Sequence, residues 1–538
     1  MVYLMDSNFI LYSIILLLYT SLSHGLTLFN DGLYWDSWMV DSWQRRKDWH
    51  TMKRYLSEVG MPIMYYVYKL NSYFPNRIFA SKLLGFISIY FSSVMVYLIA
   101  TFFEFLSPGQ ALVISLLFLS YTGYHMMVDT VVSLQYTFPI FVFYLAVFLS
   151  LFGFSSNSSE SIYFHVMAII LFFWSFNANS ILVYYFGFLG FSLLFQANWN
   201  LNNLFQKNIL TNNVFYCLIP FIYWIIKEKF TPRHGYCVQY NKISINPIKI
   251  LFGAICALRD AFEASVLKPV LFLIKKRLLI ISFLLIILFN LFFSVDFVID
   301  KSTALILLSY GLVLFMLSII PYLLVGQSIN DNGWATKNAM LIHLPAGMIF
   351  FGMSSLLIAD TFMLKNVIFF YLISTCLYNI RNALYYLAVF VKDYSWLHNL
   401  KHKELNGISI FQVIDKHDIK GDFANKYQDY KPVYLLFMFD WIWGETPKKF
   451  GISEFEPRHA YSTEELNDAF DCTTIPYALN LIDINSPQVR VVIKNNTNRS
   501  YFIYALKYIL IKILNKNKQN LNELLEEITS IEIEYIEK

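Results

Sequence analysis

The stretch "FILYSIILLLYTSLSHGLTL", residues 9–28, decides the fold of this chain together with the runs of the same kind that follow it. It is apolar over about 20 residues, the length at which a helix crosses about 30 Å of hydrocarbon. A helix fits because it pairs its own backbone N–H and C=O groups where no water can. Hydrophobic residues make up 57% of the chain and charged residues 14%, a composition that excludes an ordinary soluble protein. The sequence therefore predicts a polytopic α-helical membrane protein.

Similar apolar runs predict about eleven transmembrane helices within residues 1–397. The runs after the first cover approximately residues 80–103, 111–127, 131–152, 162–176, 180–195, 214–226, 278–298, 304–325, 340–359 and 367–391. Asp6 precedes the first run without any Lys or Arg, and no A-x-A-like cleavage site follows it. We therefore interpret the first run as a retained helix rather than a cleaved signal peptide.

Two long polar segments interrupt the apolar runs, an external loop at residues 29–79 and a second segment at residues 227–277. The second contains "NPIKILFGAICALRDAFEASVLKPV", residues 246–270, whose apolar residues recur at helical spacing around charged ones. This pattern predicts an amphipathic helix that lies on the membrane rather than crossing it.

Residues 398–538 have an ordinary composition and predict a small soluble α+β domain. The runs at 407–415 and 489–495 are typical of strands, and "STEEL" at 462–466 has the spacing of a capping box. "VYLLFMFDWIW", residues 433–443, is too short for a comfortable span and favours a core strand or a membrane-contacting edge. One helical face is predicted to carry Leu506, Ile509, Leu510, Ile513 and Leu514.

Charge and cysteine content narrow the function classes. The net charge is +4 and no Lys/Arg block resembles a nucleic-acid-binding arm, so no nucleic-acid partner is expected. The five cysteines are far apart and lack CxxC spacing, which argues against a disulfide framework or a zinc site. A pairing of Cys237 with Cys256 stays open if their shared loop faces an oxidising compartment.

An acidic turn follows directly on the first run, in "FNDGLYWDSWMVDSW", residues 29–43. Further on come "GMPIMYYVYKL", residues 60–70, and an arginine just before the second run. This order resembles the GT-C class of integral membrane glycosyltransferases, especially the protein O-mannosyltransferase and aminoarabinose transferase branch. In that class an acidic residue opens the first external loop, a G-x-P-P-L-Y-Y-like stretch follows, and an Arg starts the next span. The matching residues here are Asp31, Gly60, Pro62, Tyr65, Tyr66 and Arg77.

The resemblance covers about the first 150 residues with some pattern, and it implies a function. Enzymes of this class move a sugar from a polyprenyl-phosphate donor to a glycan, lipid or protein acceptor at the membrane surface. The resemblance makes Asp31 the candidate base or metal ligand, with Asp36 as a further catalytic candidate. Asp129, in "YHMMVDTVVSLQY", matches a second acidic residue and a second metal ligand for Mg²⁺ or Mn²⁺. The resemblance to the GT-C class also implies a multi-pass protein of the bacterial cytoplasmic (inner) membrane.

The sequence departs from the pattern at the expected phosphate contact. Met61 stands where the aminoarabinose-type branch has Lys or His, and Ile63 replaces the second proline. A cation for the departing phosphate must then come from elsewhere. The candidates are Lys53, Arg54, Arg77, Arg233 and Lys337.

Simpler interpretations of the acidic residues stay open. Asp31 and Gly32 fit an ordinary turn, and Asp129 fits a turn carboxylate at the headgroup level. Asp41 is expected to face water, and the three tryptophans of residues 35–43 to anchor the segment at the interface. Two other functions also remain: a transporter or flippase of lipid-linked glycans, and a non-catalytic membrane scaffold. No inverted repeat supports the transporter, whereas the missing cation at residue 61 suits the scaffold.

The span count places residues 29–79 and the tail on the same, outer side of the membrane. Single cysteines introduced at residues 36 and 480 should therefore react with the same impermeant thiol reagent added from one side only. Labelling of the two positions from opposite sides would contradict this topology.

Overall fold

The computed structural model describes residues 7–34, 37–102, 106–122, 129–155, 160–197, 202, 206–232, 242–292, 299–327, 329, 333–400, 410–415, 459–461, 488–496, 501–514 and 518–535. The chain forms two compact units. The first comprises Met1–Leu28 with Trp49–Asn382, and the second comprises Phe29–Asp48 with Ala383–Lys538. The predicted division at residue 398 differs from this one, which falls earlier and assigns the acidic turn to the second unit.

The molecule is a helical membrane protein. Its long apolar helices are stable in hydrocarbon because every interior backbone group is paired within the helix. Five helices in the described part of the chain are long and apolar enough to span a bilayer: Phe9–Phe29, Arg77–Phe102, Thr130–Ser155, Lys301–Leu324 and Thr361–Trp396. The last of these lies within a helix that runs on to Leu400.

Shorter apolar helices occupy most of the other predicted runs. They are Pro108–Ser120, Ser161–Ser175, Ser180–Gln196, Leu279–Asn290 and His343–Leu357. Lys207–Phe230 forms a further helix, with Pro220 inside it. Every predicted run therefore contains a helix, while the count of eleven crossings stays a prediction because several helices are short for a 30 Å core.

The remaining described helices of the chain's first third are amphipathic and short. They are Ser37–Arg46, Trp49–Glu58 and Ile63–Asn71. Gly60 lies between the last two with φ +75°, and the N–H of Met61 bonds to the carbonyl of Leu56 at 2.7 Å. A left-handed glycine closing a helix in this way is a common C-terminal cap, so Gly60 of the matched motif has a clear structural role.

Helices Lys301–Leu324 and His343–Leu357 pack closely within the first unit. A Cβ atom at Gly352 would lie 2.7 Å from the carbonyl oxygen of Ala304 and 2.9 Å from the backbone nitrogen of Leu308. Backbone atoms cannot move aside as side chains can. The contact between these two helices therefore requires glycine at residue 352.

The predicted amphipathic helix is present as Pro247–Phe262, which continues through a π-turn at Glu263–Leu267 into Lys268–Lys275. Its narrow face is buried and consists of Ala254, Ala257, Ala261 and Ala264. Three of these alanines pack in a core cluster with Phe315 and Ile319 of helix Lys301–Leu324. The opposite face exposes large apolar side chains: Ile248, Leu251, Phe252, Ile255, Leu258 and Phe262. Exposed apolar residues at this spacing are expected where a helix lies in the membrane interface.

A four-stranded sheet belongs to the second unit. Its strands are Ile410–Asp415 (β1), His459–Tyr461 (β2), Gln488–Asn495 (β3) and Thr529–Tyr535 (β4), in the order β2-β1-β3-β4. Strand β1 is parallel to both β2 and β3, with Phe411 opposite Val489, and β4 is antiparallel to β3. Strands β1 and β3 fall where the sequence predicts them.

Two helices of the second unit, Tyr501–Ile513 and Lys518–Ile528, precede β4. The end of the long helix contacts this region: the hydroxyls of Ser395 and Thr529 lie 2.7 Å apart, and the amide of Asn399 donates to the carbonyl of Thr529 at 2.6 Å. Helix Tyr501–Ile513 buries Tyr504, Tyr508 and Ile509, whereas Leu506, Leu510, Ile513 and Leu514 are exposed. The predicted apolar face is therefore a surface stripe, apart from Ile509.

Several predicted features lie outside the described residues. They are the capping box at 462–466, the run at 433–443, Cys237 and Cys472. The three cysteines that the structure describes, Cys217, Cys256 and Cys376, are free thiols.

Replacing Gly352 with alanine should destabilise the protein by about 1–3 kcal/mol, because the added methyl group overpacks a helix contact made by backbone atoms. The matched control is Gly190→Ala, where a Cβ would meet nothing within 4 Å and better helix propensity adds up to about 1 kcal/mol. Thermal unfolding in detergent measures both. Equal melting temperatures for the two variants would contradict the proposed packing.

Candidate functional site

The acidic turn is held by its own buried polar side chains. The 3₁₀ turn Gly25–Phe29 leads into Asn30, whose Oδ1 accepts from the N–H of Gly32 at 2.8 Å. The hydroxyl of Tyr34 donates to the carbonyl of Tyr386 at 2.6 Å, and Asn30 Nδ2 donates to the Tyr34 oxygen at 3.0 Å. Asn30 and Tyr34 are both buried. The backbone around residue 31 is therefore fixed on both sides.

Gly32 is required by the same arrangement. A Cβ there would lie 2.6 Å from the hydroxyl oxygen of Tyr34 and 2.8 Å from Oδ1 of Asn30. Both atoms are committed to hydrogen bonds, so neither can move without breaking the turn. Residues 31 and 32 therefore form a turn whose conformation is fixed by its neighbours. Asp31 is the charged residue of this pair.

The carboxylate of Asp31 contacts two side chains of helix Tyr501–Ile513. Its Oδ2 atom accepts from the Tyr508 hydroxyl at 2.6 Å and from the Lys512 ammonium at 2.6 Å. Lys512 also lies 3.4 Å from the carbonyl oxygen of Phe29, where the first helix ends. The side chains of Lys512 and Asp31 are 32% and 29% exposed. A small solute can therefore reach a carboxylate whose position is set by two strong contacts.

The environment of Asp31 favours negative charge on it. The Lys512 ammonium supplies a full positive charge, and the Tyr508 hydroxyl adds a short hydrogen bond. Burial raises the pKa of Tyr508 well above its ordinary value, and the negative charge of Asp31 raises it further. Tyr508 therefore stays protonated and keeps donating at neutral pH. The ring of Phe390 packs edge-on against Tyr508, 5.7 Å between centroids.

Asp129 belongs to the other compact unit and is fully buried. Its Oδ1 atom accepts from the backbone N–H groups of Val131 at 2.7 Å and Val132 at 3.3 Å. This is the geometry of a helix N-cap. The side chain is enclosed by the protein and caps the helix that follows, whereas its placement at the headgroup level stays a prediction.

The predicted cations belong to different structural elements. Arg54 is 70% exposed and pairs with Glu58 at 3.3 Å. Arg77 begins helix Arg77–Phe102, and Lys337 lies in the 3₁₀ helix Gly333–Ala339, each partly buried. All three belong to the first unit, whereas Asp31 belongs to the second. Lys53 is exposed, and Asp36 and Arg233 lie outside the described residues.

Asp41 does not face water as the sequence suggested. It is 5% exposed and accepts from Nε of Arg45 at 2.8 Å. The two residues are four apart on helix Ser37–Arg46, a spacing that brings side chains together. The prediction that Asp41 faces water is therefore wrong.

The contacts of the two candidate aspartates do not match a divalent cation site. Oδ2 of Asp31 already accepts from an ammonium, and Oδ1 of Asp129 caps a helix. Within the described part of the chain no three His, Cys, Asp or Glu side chains converge as metal ligands. A hard cation such as Mg²⁺ or Mn²⁺ needs several oxygen ligands, so we assign no chemical step to a metal here.

Tyr508 and Lys512 were missed as site residues because they lie 477 and 481 residues from Asp31 along the chain. The sequence does show the helix and places Lys512 off the apolar face. It carries no sign of which carboxylate that lysine meets. Lys512 is nonetheless a cation in contact with the acidic turn.

No protein-family model, curated protein or solved structure matches this chain. The likeness to the GT-C class therefore rests on the sequence alone, in the order of Asp31, the residue 60–70 stretch and Arg77, with Asp129 further along the chain.

If Asp129 acts as an N-cap, Asp129→Ala should lower stability by about 0.5–2 kcal/mol, because two backbone N–H groups lose their acceptor. Asp129→Asn should retain most of that stability, since its amide oxygen can accept the same bonds. Thermal unfolding of the purified variants measures both. If Asp129→Asn lowers stability as much as Asp129→Ala does, the negative charge of Asp129 stabilises the protein and the cap hydrogen bonds do not.

Proposed function

We propose that the protein is a GT-C-like membrane glycosyltransferase, which transfers a sugar from a polyprenyl-phosphate donor to a glycan, lipid or protein acceptor. This proposal includes an eleven-span membrane domain and a location in the bacterial cytoplasmic membrane. Its support is the order of the matched residues and the environment of Asp31. A transporter or flippase gains no specific support from the contacts described.

One observation carries the proposal: a partly exposed carboxylate and a partly exposed ammonium meet at 2.6 Å, next to the end of the first membrane helix. Water-soluble acceptors can reach this level, and so can the phosphate of a lipid whose chain stays in the bilayer. Transfer from such a lipid requires both an acceptor for the hydroxyl proton and a cation for the phosphate. Asp31 and Lys512 supply these two groups.

The proposed reaction is a direct displacement. The acceptor oxygen attacks the anomeric carbon, and the bond between that carbon and the phosphate oxygen breaks with its electron pair staying on the phosphate. Asp31 accepts the hydrogen bond of the acceptor hydroxyl and takes its proton as the new bond forms. An ion-paired carboxylate is a weak base, so orienting the hydroxyl is a large part of its role.

Lys512 has the complementary role of stabilising the departing polyprenyl phosphate. Charge on that phosphate grows in the transition state, and a fixed ammonium lowers the barrier most when it is already in place. The contact with Asp31 and the neighbouring carbonyl of Phe29 hold it there. Lys512 thus takes the role that a lysine or histidine at residue 61 would have.

A non-catalytic scaffold is the second candidate, and the capping role of Asp129 favours it. A carboxylate committed to two backbone N–H groups is explained by folding alone. The Asp31–Lys512 pair could in the same way only join two segments. The glycosyltransferase and the scaffold predict different results for a variant in which the charges of Asp31 and Lys512 are exchanged.

Asp31→Asn should lower transfer of radiolabelled sugar from polyprenyl carriers by about 10²–10⁴, and Lys512→Gln by about 10²–10³. The variants are compared in membranes at equal protein level. Glu160→Gln is the control for Asp31, because Glu160 is exposed and its side chain makes no cap bond. Lys507→Gln is the control for Lys512, since Lys507 lies on the same helix and pairs with Glu527 at 3.0 Å.

The double variant Asp31→Lys with Lys512→Asp separates catalysis from scaffolding. It can rebuild an ion pair and so rescue folding, but it places the charges on the wrong groups for transfer. We expect a folded, inactive protein. Transfer at the parental rate by Asp31→Asn would show that Asp31 is not catalytic, and a parent inactive with every carrier tested would favour the scaffold.

A further inference from the structure

A cavity of about 530 Å³ lies beside the amphipathic helix of the first unit. One wall is the start of helix Pro247–Phe262 with the residues before it, and the other is the end of helix Lys301–Leu324 with the residues after it. The N–H of Ser244 bonds to the carbonyl of Leu324 at 2.8 Å and joins the two walls. The volume is within the range of small-molecule sites.

The second wall depends on a particular turn. Gly326 has φ +72°, and the N–H of Gln327 bonds back to the carbonyl of Tyr322 at 2.9 Å. This left-handed glycine ends the helix and reverses the chain. Gln327 consequently becomes part of the cavity lining.

Both walls of the cavity contribute polar residues. Ser244, Asn246, Lys249 and Gln327 bring hydroxyl, amide and ammonium groups to it. Asp260 also lines the cavity, but Arg259 donates to its Oδ1 at 2.7 and 3.0 Å and so offsets its charge. Arg259 also lies 3.7 Å from Glu263, so the charges of these three residues partly balance one another locally. Lys249 is then the cation of the lining, and together with the hydroxyl and amide donors it suits a phosphorylated polar group.

Helix Pro247–Phe262 also presents an apolar surface next to the cavity. Phe252 lines the cavity and is 68% exposed, and Ile248, Leu251 and Ile255 beside it are 59–81% exposed. A helix with this stripe in a membrane protein is expected to lie at the level of the headgroups. The cavity and the stripe together match an amphiphile with a polar head and a long apolar chain.

We propose that this cavity binds the phosphorylated headgroup of a membrane lipid, with the lipid chain running along Ile248, Leu251, Phe252 and Ile255. Lys249 contacts the phosphate. Two sources share this chemistry, an anionic phospholipid and a polyprenyl phosphate, and only the second rests on the proposed glycosyltransferase function.

Cys256 provides a native reporter, because this partly exposed thiol lines the cavity. Its alkylation rate is followed by peptide mass spectrometry in phosphatidylcholine nanodiscs, with geranylgeranyl phosphate, phosphatidylglycerol or inorganic phosphate added. Cys217, also partly exposed but absent from this cavity lining, is the internal control. We expect one or both lipids to slow alkylation of Cys256 several-fold and to leave Cys217 unchanged.

Lys249→Gln should weaken that protection about tenfold, as expected for loss of a charged hydrogen bond. Lys275→Gln is the matched control, an exposed lysine further along the same helical segment. Protection by geranylgeranyl phosphate alone would identify a prenyl-phosphate site, and protection by both lipids a general headgroup site. Equal protection of Cys256 and Cys217, or full protection in Lys249→Gln, would overturn the proposal. Because no turnover is needed, the result is independent of whether sugar transfer is found.

Discussion

The contact between Lys512 and Asp31 joins parts of the second unit that are 481 residues apart in the chain, and it does so at a single carboxylate oxygen. Tyr508 makes the second contact to that oxygen, from one turn earlier on the same helix. The turn beneath is fixed by Asn30 and Tyr34, and Tyr34 bonds to the backbone of the long helix at residue 386. The acidic turn, the tail helix and the end of the long helix thus form one connected set of polar contacts.

The contacts in this set contribute unequally to stability. Exposed ion pairs contribute little to stability, about 0–1 kcal/mol, and the Asp31–Lys512 pair is partly exposed. The buried groups around it, Asn30, Tyr34 and Tyr508, contribute the larger share of the order, because leaving any of them unpaired would be costly. A charged pair that adds little to folding but is held rigidly is suited to act on a third molecule.

The sequence predicts what depends on local pattern. Hydropathy locates the helices, and the helical spacing in residues 246–270 identifies the amphipathic helix, because both follow from neighbours along the chain. Two missed features had a local signal: β4 alternates Ile531, Ile533 and Tyr535 with polar residues, and Asp41 lies four residues before Arg45. Those two features were predictable.

Only part of the candidate site around Asp31 could be predicted from the sequence. Asp31 stands out because it follows an apolar run, whereas its partners lie in a tail helix whose docking is set by tertiary contacts. Nothing in the spacing of residues 501–514 says that Lys512 meets residue 31 rather than water. In the same way, the cap made by Asp129 depends on where helix Thr130–Val132 begins, and the cavity beside Lys249 requires two segments about 75 residues apart in the chain to meet.

Zero-length carbodiimide crosslinking tests the central contact most directly, since it joins only a carboxylate and an amine that touch. We expect an amide between Asp31 and Lys512, identified by peptide mass spectrometry and lost in Lys512→Arg, because a guanidinium does not form the amide. The Lys507–Glu527 pair, at 3.0 Å, is the internal control and should crosslink in both proteins. A crosslink between Lys507 and Glu527 without one between Asp31 and Lys512 would show that Asp31 and Lys512 are not in contact.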